Sequence, residues 1–177
     1  MNVKNNKAGK KQVAISACLL GEAVRYDGRN KQHSLISNIF MRQLKKQLEV
    51  IPFCPEMAIG LGVPRDKIEL VRQKDESIRV LGVENHTWDV TEALQSYAGT
   101  FLKQYPNLQY FIVKSRSPSC GYNSTPVFVN GLEVAMDSGM FVQSLLHIKP
   151  DIKIINESDL LTEQDCLEFL GNIDFEC

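Results

Sequence analysis

Four short, mostly apolar runs stand out along the chain: Val13–Ala17, Val50–Phe53, Tyr110–Val113 and Ile152–Ile155. Runs of this kind suit strands buried on both faces of a parallel sheet. Between them, apolar residues recur at helical spacing. Ser34 is placed to cap a helix carrying Ile36, Ile39, Phe40, Leu44 and Leu48. Thr87 is placed to cap another carrying Val90, Leu94, Tyr97, Phe101 and Tyr105, which Pro106-Asn107 stops. A further helix is expected near Gly139–His147, and Thr162 with Asp165 opens a last one containing Cys166, Phe169 and Leu170. Two hairpins interrupt the alternation. Ile68–Val71 and Ile78–Leu81 flank a polar turn at Lys74–Glu76, and Val127–Val129 and Leu132–Val134 flank Asn130-Gly131, a strong hairpin signal. The pattern predicts an α/β fold in a single domain, a largely parallel Rossmann-like sheet with flanking helices and small hairpin insertions. Residues 1–11 hold four lysines and nothing to bury, so they read as a disordered tail before one domain spanning 12–177.

Composition narrows the partners. A formal net charge of -1 over 177 residues gives no general polyanion-binding surface, so no nucleic acid polymer is expected as a partner. No apolar run approaches the roughly 18 residues of a spanning helix, and the lysine-rich start has no signal-peptide core behind it. A soluble, cytoplasmic protein without a membrane partner is the expectation. Gly60-x-Gly62 lacks the third glycine of a dinucleotide fingerprint and is rejected as one.

The five cysteines are the most informative residues. An odd count in a reducing compartment points away from a disulfide framework. Cys18, Cys54 and Cys120 each follow an apolar strand-like run, Cys166 lies in a helical pattern, and Cys177 is the last residue. In an open parallel sheet, ligands bind outside the carboxyl ends of the strands. Three cysteines at such ends meet in one crevice if their strands are neighbours. They are then either a metal site or three buried, inert thiols. Zinc accepts three thiolates and water, but the His-x-Glu and Pro-Cys-x-x-Cys signatures of zinc deaminases are missing. A 4Fe-4S cluster normally takes four thiolates, so three leave one iron open to a soft sulfur ligand.

Five segments in one order sharpen this. Ile15-Ser-Ala-Cys18-Leu-Leu-Gly21, Val24-Arg-Tyr-Asp-Gly28, Cys54-Pro-Glu56, Pro64-Arg65 and Lys114-Ser-Arg-Ser-Pro-Ser-Cys-Gly121 together resemble the thiouracil desulfurase family, over about Val13 to Asp159. The resemblance implies an enzyme with a 4Fe-4S cluster that replaces sulfur by oxygen in thiolated uracil compounds, including 4-thiouridine monophosphate. The cluster ligands it implies are Cys18, Cys54 and Cys120.

The chemistry expected is hydrolytic: the open iron takes the thiocarbonyl sulfur, water adds at the ring carbon, and no net redox change is required. Proton transfer needs a carboxylate and a hydroxyl near the ligands, and Glu56 and Ser117 fit, with Glu49 or Glu69 as substitutes for the carboxylate. A nucleotide phosphate calls for cations, which Arg25, Lys31, Arg65, Lys114 and Arg116 can supply, while Asp27 is a candidate for a ribose or base contact. Asn85, His86 and Trp88 are candidates for the pocket wall. His33, His86 and His147 have no metal-ligand spacing. Two other readings stay open: an iron-sulfur sensor of redox state or iron supply, and a zinc-dependent nucleotide hydrolase.

Overall fold

A computed structural model describes residues 10–44 and 46–171. Its strands are β1 (Lys11–Ser16), β2 (Leu48–Phe53), β3 (Ile68–Arg72), β4 (Ile78–Gly82), β5 (Tyr110–Val113), β6 (Thr125–Val129), β7 (Leu132–Asp137) and β8 (Lys153–Asn156). Its α-helices are α1 (Ser34–Asn38), α2 (Pro55–Ala58), α3 (Thr91–Gln104), α4 (Met140–Ile148) and α5 (Glu163–Phe169). The four apolar runs form one sheet, ordered β2-β1-β5-β8 and parallel throughout. Alternate residues of its strands face two separate cores. Val13, Ile15 and Ile112 pack with Phe40 and Cys166 on one side, and Ala14, Phe111 and Val113 pack with Phe101 and Phe141 on the other. The fold class therefore agrees with the sequence pattern.

The hairpins do more than decorate this sheet. Each forms as expected, and β3 of the first then pairs in parallel with β6 of the second, giving a second sheet ordered β4-β3-β6-β7. Its buried side, Ile68, Leu70, Val80 and Val127, closes a third core with Leu94 of α3 and Met140 of α4. Asn130 and Gly131 both hold positive φ at the β6–β7 turn, as that residue pair favours.

Several boundaries differ from the sequence reading. Lys11, assigned to the tail, opens β1, and residues 1–9 lie outside the described residues. The helix expected to run from Ser34 to Leu48 is the five-residue α1 followed by a π turn at Ile39–Gln43. His33, not Ser34, is its N-cap, and Leu48 belongs to β2, opposite Lys11. The hydroxyl of Thr87 donates to Asn85 within a turn, and α3 starts at Thr91, whose N–H donates to the Asp89 carboxylate at 2.9 Å. At α3 an acceptor nearer the helix outcompeted the expected cap, and at α1 the residue one position earlier, His33, accepts from the Ile36 N–H and takes Ser34 into the helix. Thr162 and Asp165 form a reciprocal capping box on α5 as anticipated.

Candidate active site

Cys18, Cys54 and Cys120 follow β1, β2 and β5, which are adjacent in the order β2-β1-β5. All three line one cleft of about 310 Å³ at the carboxyl edge of the sheet. Each is placed by a different local device. Cys18 sits in a 3-10 turn, Ala17–Leu20, closed by Gly21 at φ 100°. Cys54 is the N-cap of α2, with Pro55 in the first helical turn. The Cys120 peptide packs against Gly139, where a Cβ would come within 2.4 Å of the Ser119 carbonyl carbon.

The thiols are poorly solvated. Burial pushes Cys18 up to about 12, and the nearby Cys120 and Cys54 add to the rise while Arg25 and Lys114 oppose it. Burial likewise pushes Cys54 up to about 11, against the Met57 backbone N–H. Cys120 is also raised by burial, against the hydroxyls of Ser117 and Ser16. The Ser16 oxygen lies 3.5 Å from the Cys120 sulfur, and Cys54 donates to the Val24 carbonyl at 3.9 Å. Among the described residues, no three His, Cys, Asp or Glu side chains are arranged to hold a metal ion. Zinc would gather its donors on one centre, whereas a cluster takes each thiolate at its own iron. Three soft donors on the wall of one cleft are the donor type a cluster takes, one at each of three irons.

Beside the thiols runs a chain of polar groups. Ser119, 1% exposed, donates to Glu56 Oε1 at 2.8 Å, and its hydroxyl lies 3.0 Å from that of Ser117. Ser117 Oγ in turn accepts from the Cys120 N–H at 3.3 Å. Glu56 Oε2 is held by Arg65 Nε at 2.9 Å. Arg65 also donates to the Gly62 and Val24 carbonyls, so the guanidinium ties α2 to the 24–26 loop and is not free for a phosphate. Lys114 is similarly occupied. Its ammonium has three donors, and Glu157, Ser115 Oγ and the Ser115 carbonyl accept them. The other expected cations on the cleft wall are Lys31, Arg25, whose buried Nε makes no hydrogen bond and lies 3.7 Å from Asp27, and Arg116, 3.9 Å from Glu133.

With the geometry in view, the comparisons are specific. The family model described as 2-thiouracil desulfurase matches residues 13–158. The chain belongs to that family. Its match with a solved structure, the 4Fe-4S-dependent thiouracil desulfidase TudS, has a TM-score of 0.64 and 31% identity, over 85% of this chain and 93% of that one. The uncharacterized protein YbbK of Bacillus subtilis (strain 168) is 27% identical over 159 residues, 84% of this chain and 97% of its own.

Other candidates of this desulfurase-family chain stand elsewhere. Asp27 is not on the cleft wall; it accepts from the Arg29 N–H at 3.1 Å and lies 3.7 Å from Arg25 Nε, closing its own turn. Glu49 faces out beside Gln12. Glu69 lies 3.4 Å from His86 and lines a neighbouring cleft of about 450 Å³, which shares Tyr26, Glu56, Arg116 and Pro118 with the first. Asn85, His86 and Trp88 belong to the turn before α3 and line neither cleft. His33 caps α1, and Cys166 is fully buried in the core beneath α5. Cys177 lies outside the described residues. Sequence reasoning passed over Ser16, Ser115, Ser119, Asn156 and Glu157. The first three adjoin the motif residues, and their density was the available signal. Asn156 and Glu157 gave none, because they reach the site from the end of β8.

Proposed function

We propose that this chain removes sulfur from thiolated uracil compounds by hydrolysis at a 4Fe-4S cluster held by Cys18, Cys54 and Cys120. The observation that carries the reading is the meeting of three strand-end thiols with the Glu56–Ser119–Ser117 chain in one cleft. With only three protein thiolates, the bound cluster would supply an iron open to the thiocarbonyl sulfur. The overall balance is C=S plus water giving C=O plus hydrogen sulfide, with no electron donor.

The chain's own residues provide the proton path and the enclosure. Ser117 lies beside the Cys120 ligand and accepts a proton from the attacking water as its own passes to Ser119, whose proton passes to Glu56. Arg65 fixes the direction of that carboxylate through two contacts, at 2.9 and 2.8 Å. Phe53, Pro55 and Pro118 give the cleft apolar walls suited to a flat ring. Lys31, with the loosely paired Arg25 and Arg116, lines the cleft where a phosphate would need cations, which supports 4-thiouridine monophosphate as a substrate.

Anaerobic reconstitution tests the reading. Wild type should take up about four irons and four sulfides per chain and convert 2-thiouracil to uracil. Replacing Cys18, Cys54 or Cys120 by Ala should remove iron and activity, whereas Cys166→Ala should keep both. Loss of the cluster in Cys166→Ala, or a colourless wild type holding zinc, overturns the assignment.

A further inference from the structure

We propose that Asn156 and Glu157, consecutive residues at the end of β8, are a clamp that fixes both ends of the 114–124 loop, whose middle the start of α4 holds through the Pro118, Ser119 and Gly121 carbonyls, and that the clamp thereby helps to set the geometry of Ser117 and Cys120. The clamp itself stands on contacts; only its kinetic consequence rests on the desulfurase reading.

Both residues are polar yet buried, at 6% and 8% exposure, which demands that their side chains be satisfied internally. They are satisfied by the two ends of one loop. Glu157 takes the leading end: its carboxylate accepts from the Lys114 ammonium, from the Ser115 hydroxyl at 3.0 Å and from the Ser115 N–H at 2.5 Å. Asn156 takes the trailing end: Oδ1 accepts from the Tyr122 N–H at 3.0 Å and from the Ser124 hydroxyl at 3.3 Å, and Nδ2 donates to the Tyr122 carbonyl at 2.8 Å. The ends are also tied to each other, since the Arg116 N–H donates to Ser124 Oγ at 3.0 Å. Ser117, Ser119 and Cys120 all lie between these anchors.

The register explains how one dipeptide reaches both ends. Asn156 pairs with Val113, the last residue of β5, so the loop leaves the sheet directly opposite it. Arg116 holds a φ of 60°, a region a long side chain of this kind seldom occupies without support from its surroundings, whereas Asn123 at 48° is a residue that accepts it readily. The six contacts of the dipeptide hold the residues beside them, Ser115, Tyr122 and Ser124, while Ser138 holds Asn123 itself through its N–H at 2.9 Å and its side-chain oxygen at 3.0 Å. Removing the Glu157 carboxylate leaves the Lys114 ammonium and the Ser115 N–H short of their acceptor, and the leading end is released.

Amide hydrogen exchange on the full, cluster-free chain tests the clamp without substrate. In Glu157→Ala, exchange over 115–124 should rise roughly 10-fold or more while β1 and β5 amides keep their protection. On cluster-loaded protein, kcat per cluster should fall on the order of 10²-fold with KM changed far less, the pattern of a displaced reacting group. Glu157→Gln, which keeps an acceptor for the Ser115 N–H, should recover most of both. A merely structural pair predicts loop and sheet exchange rising together with kcat per cluster unchanged, and that result overturns the clamp. Should Glu157→Ala not fold, Glu157→Gln and Ser124→Ala carry the same comparison. Loop-specific exchange in a chain whose wild type desulfurates nothing upholds the clamp and sinks the desulfurase reading instead.

Discussion

Ser117 and Glu56 are the side chains on which the proposed proton path depends, and they are separated by the single hydroxyl of Ser119. Ser117→Ala and Glu56→Gln should keep the full cluster spectrum while turnover falls by about 10²–10⁴, the usual cost of a lost acid or base. Iron content and single-turnover rate on each variant check this, and wild-type turnover in both returns the role to water and the cluster alone. The thiols make a separate prediction for the cluster-free protein. Cys18 and Cys54 are raised by burial from 9.0 to about 12 and about 11. Above pH 9 the unfolded chain releases these protons and the folded chain keeps them, so stability falls as pH rises through that window. Thermal melts should show no contribution from these thiols below about pH 9 and a decline above it, shallower in Cys18→Ala. Equal slopes in the two proteins contradict the burial of that thiol.

The elements act by adjacency. Because β2, β1 and β5 lie side by side, residues far apart in sequence share one edge, and Gly139 at the start of α4 then sets how closely the Cys120 peptide can approach. Gly139→Ala should force that peptide away and lower iron uptake with little change in helix content, measured by iron analysis and circular dichroism. Full iron loading in this variant means the loop shifts without consequence. At this scale the sequence was informative wherever one local rule acted alone: four apolar strand runs, the Asn130-Gly131 turn and the Thr162 box all form. It failed where neighbours competed. Thr87 and Asp89 both offered an acceptor before α3, and Asp89 captured the helix start. The parallel pairing of β3 with β6 depends on which apolar faces meet across the third core, and neither strand records its partner. The same limit applies to the site. Arg65 and Lys114 look like phosphate ligands in sequence, and only their distant acceptors, Val24 and Glu157 among them, show that they are occupied.

For the molecule as a whole, the cations on the cleft wall are what the proposed nucleotide substrate puts to the test. If a phosphate is bound, 4-thiouridine monophosphate should be turned over better than 4-thiouracil, through binding energy remote from the reacting carbon. Lys31→Ala and Arg116→Ala should erase that preference and leave the cluster intact. Equal rates for base and nucleotide in wild type reject a phosphate site. The tilted and edge-on rings of Phe53, Phe101, Phe111 and Phe141, with centroids 5.6 to 6.1 Å apart where they meet, tie three of the elements beneath the cleft to α3.

The strand order also has a history in time. β1 ends at Ser16 and meets β2, which begins at Leu48, across a short stretch of chain, but its other neighbour, β5, begins only at Tyr110, about half the chain later. Contacts of such separation form slowly, because the closure entropy must be met before the pairing rewards it. The expected order therefore brings Cys18 and Cys54 together first, and Cys120 with β5, followed by β8 and its grip on the loop. A chain halted before β5 would present two of the three thiols and no enclosure. Pulse-labelled exchange during refolding should find β1–β2 amides protected before those of β5 and β8, and simultaneous protection would show that the sheet assembles in one step.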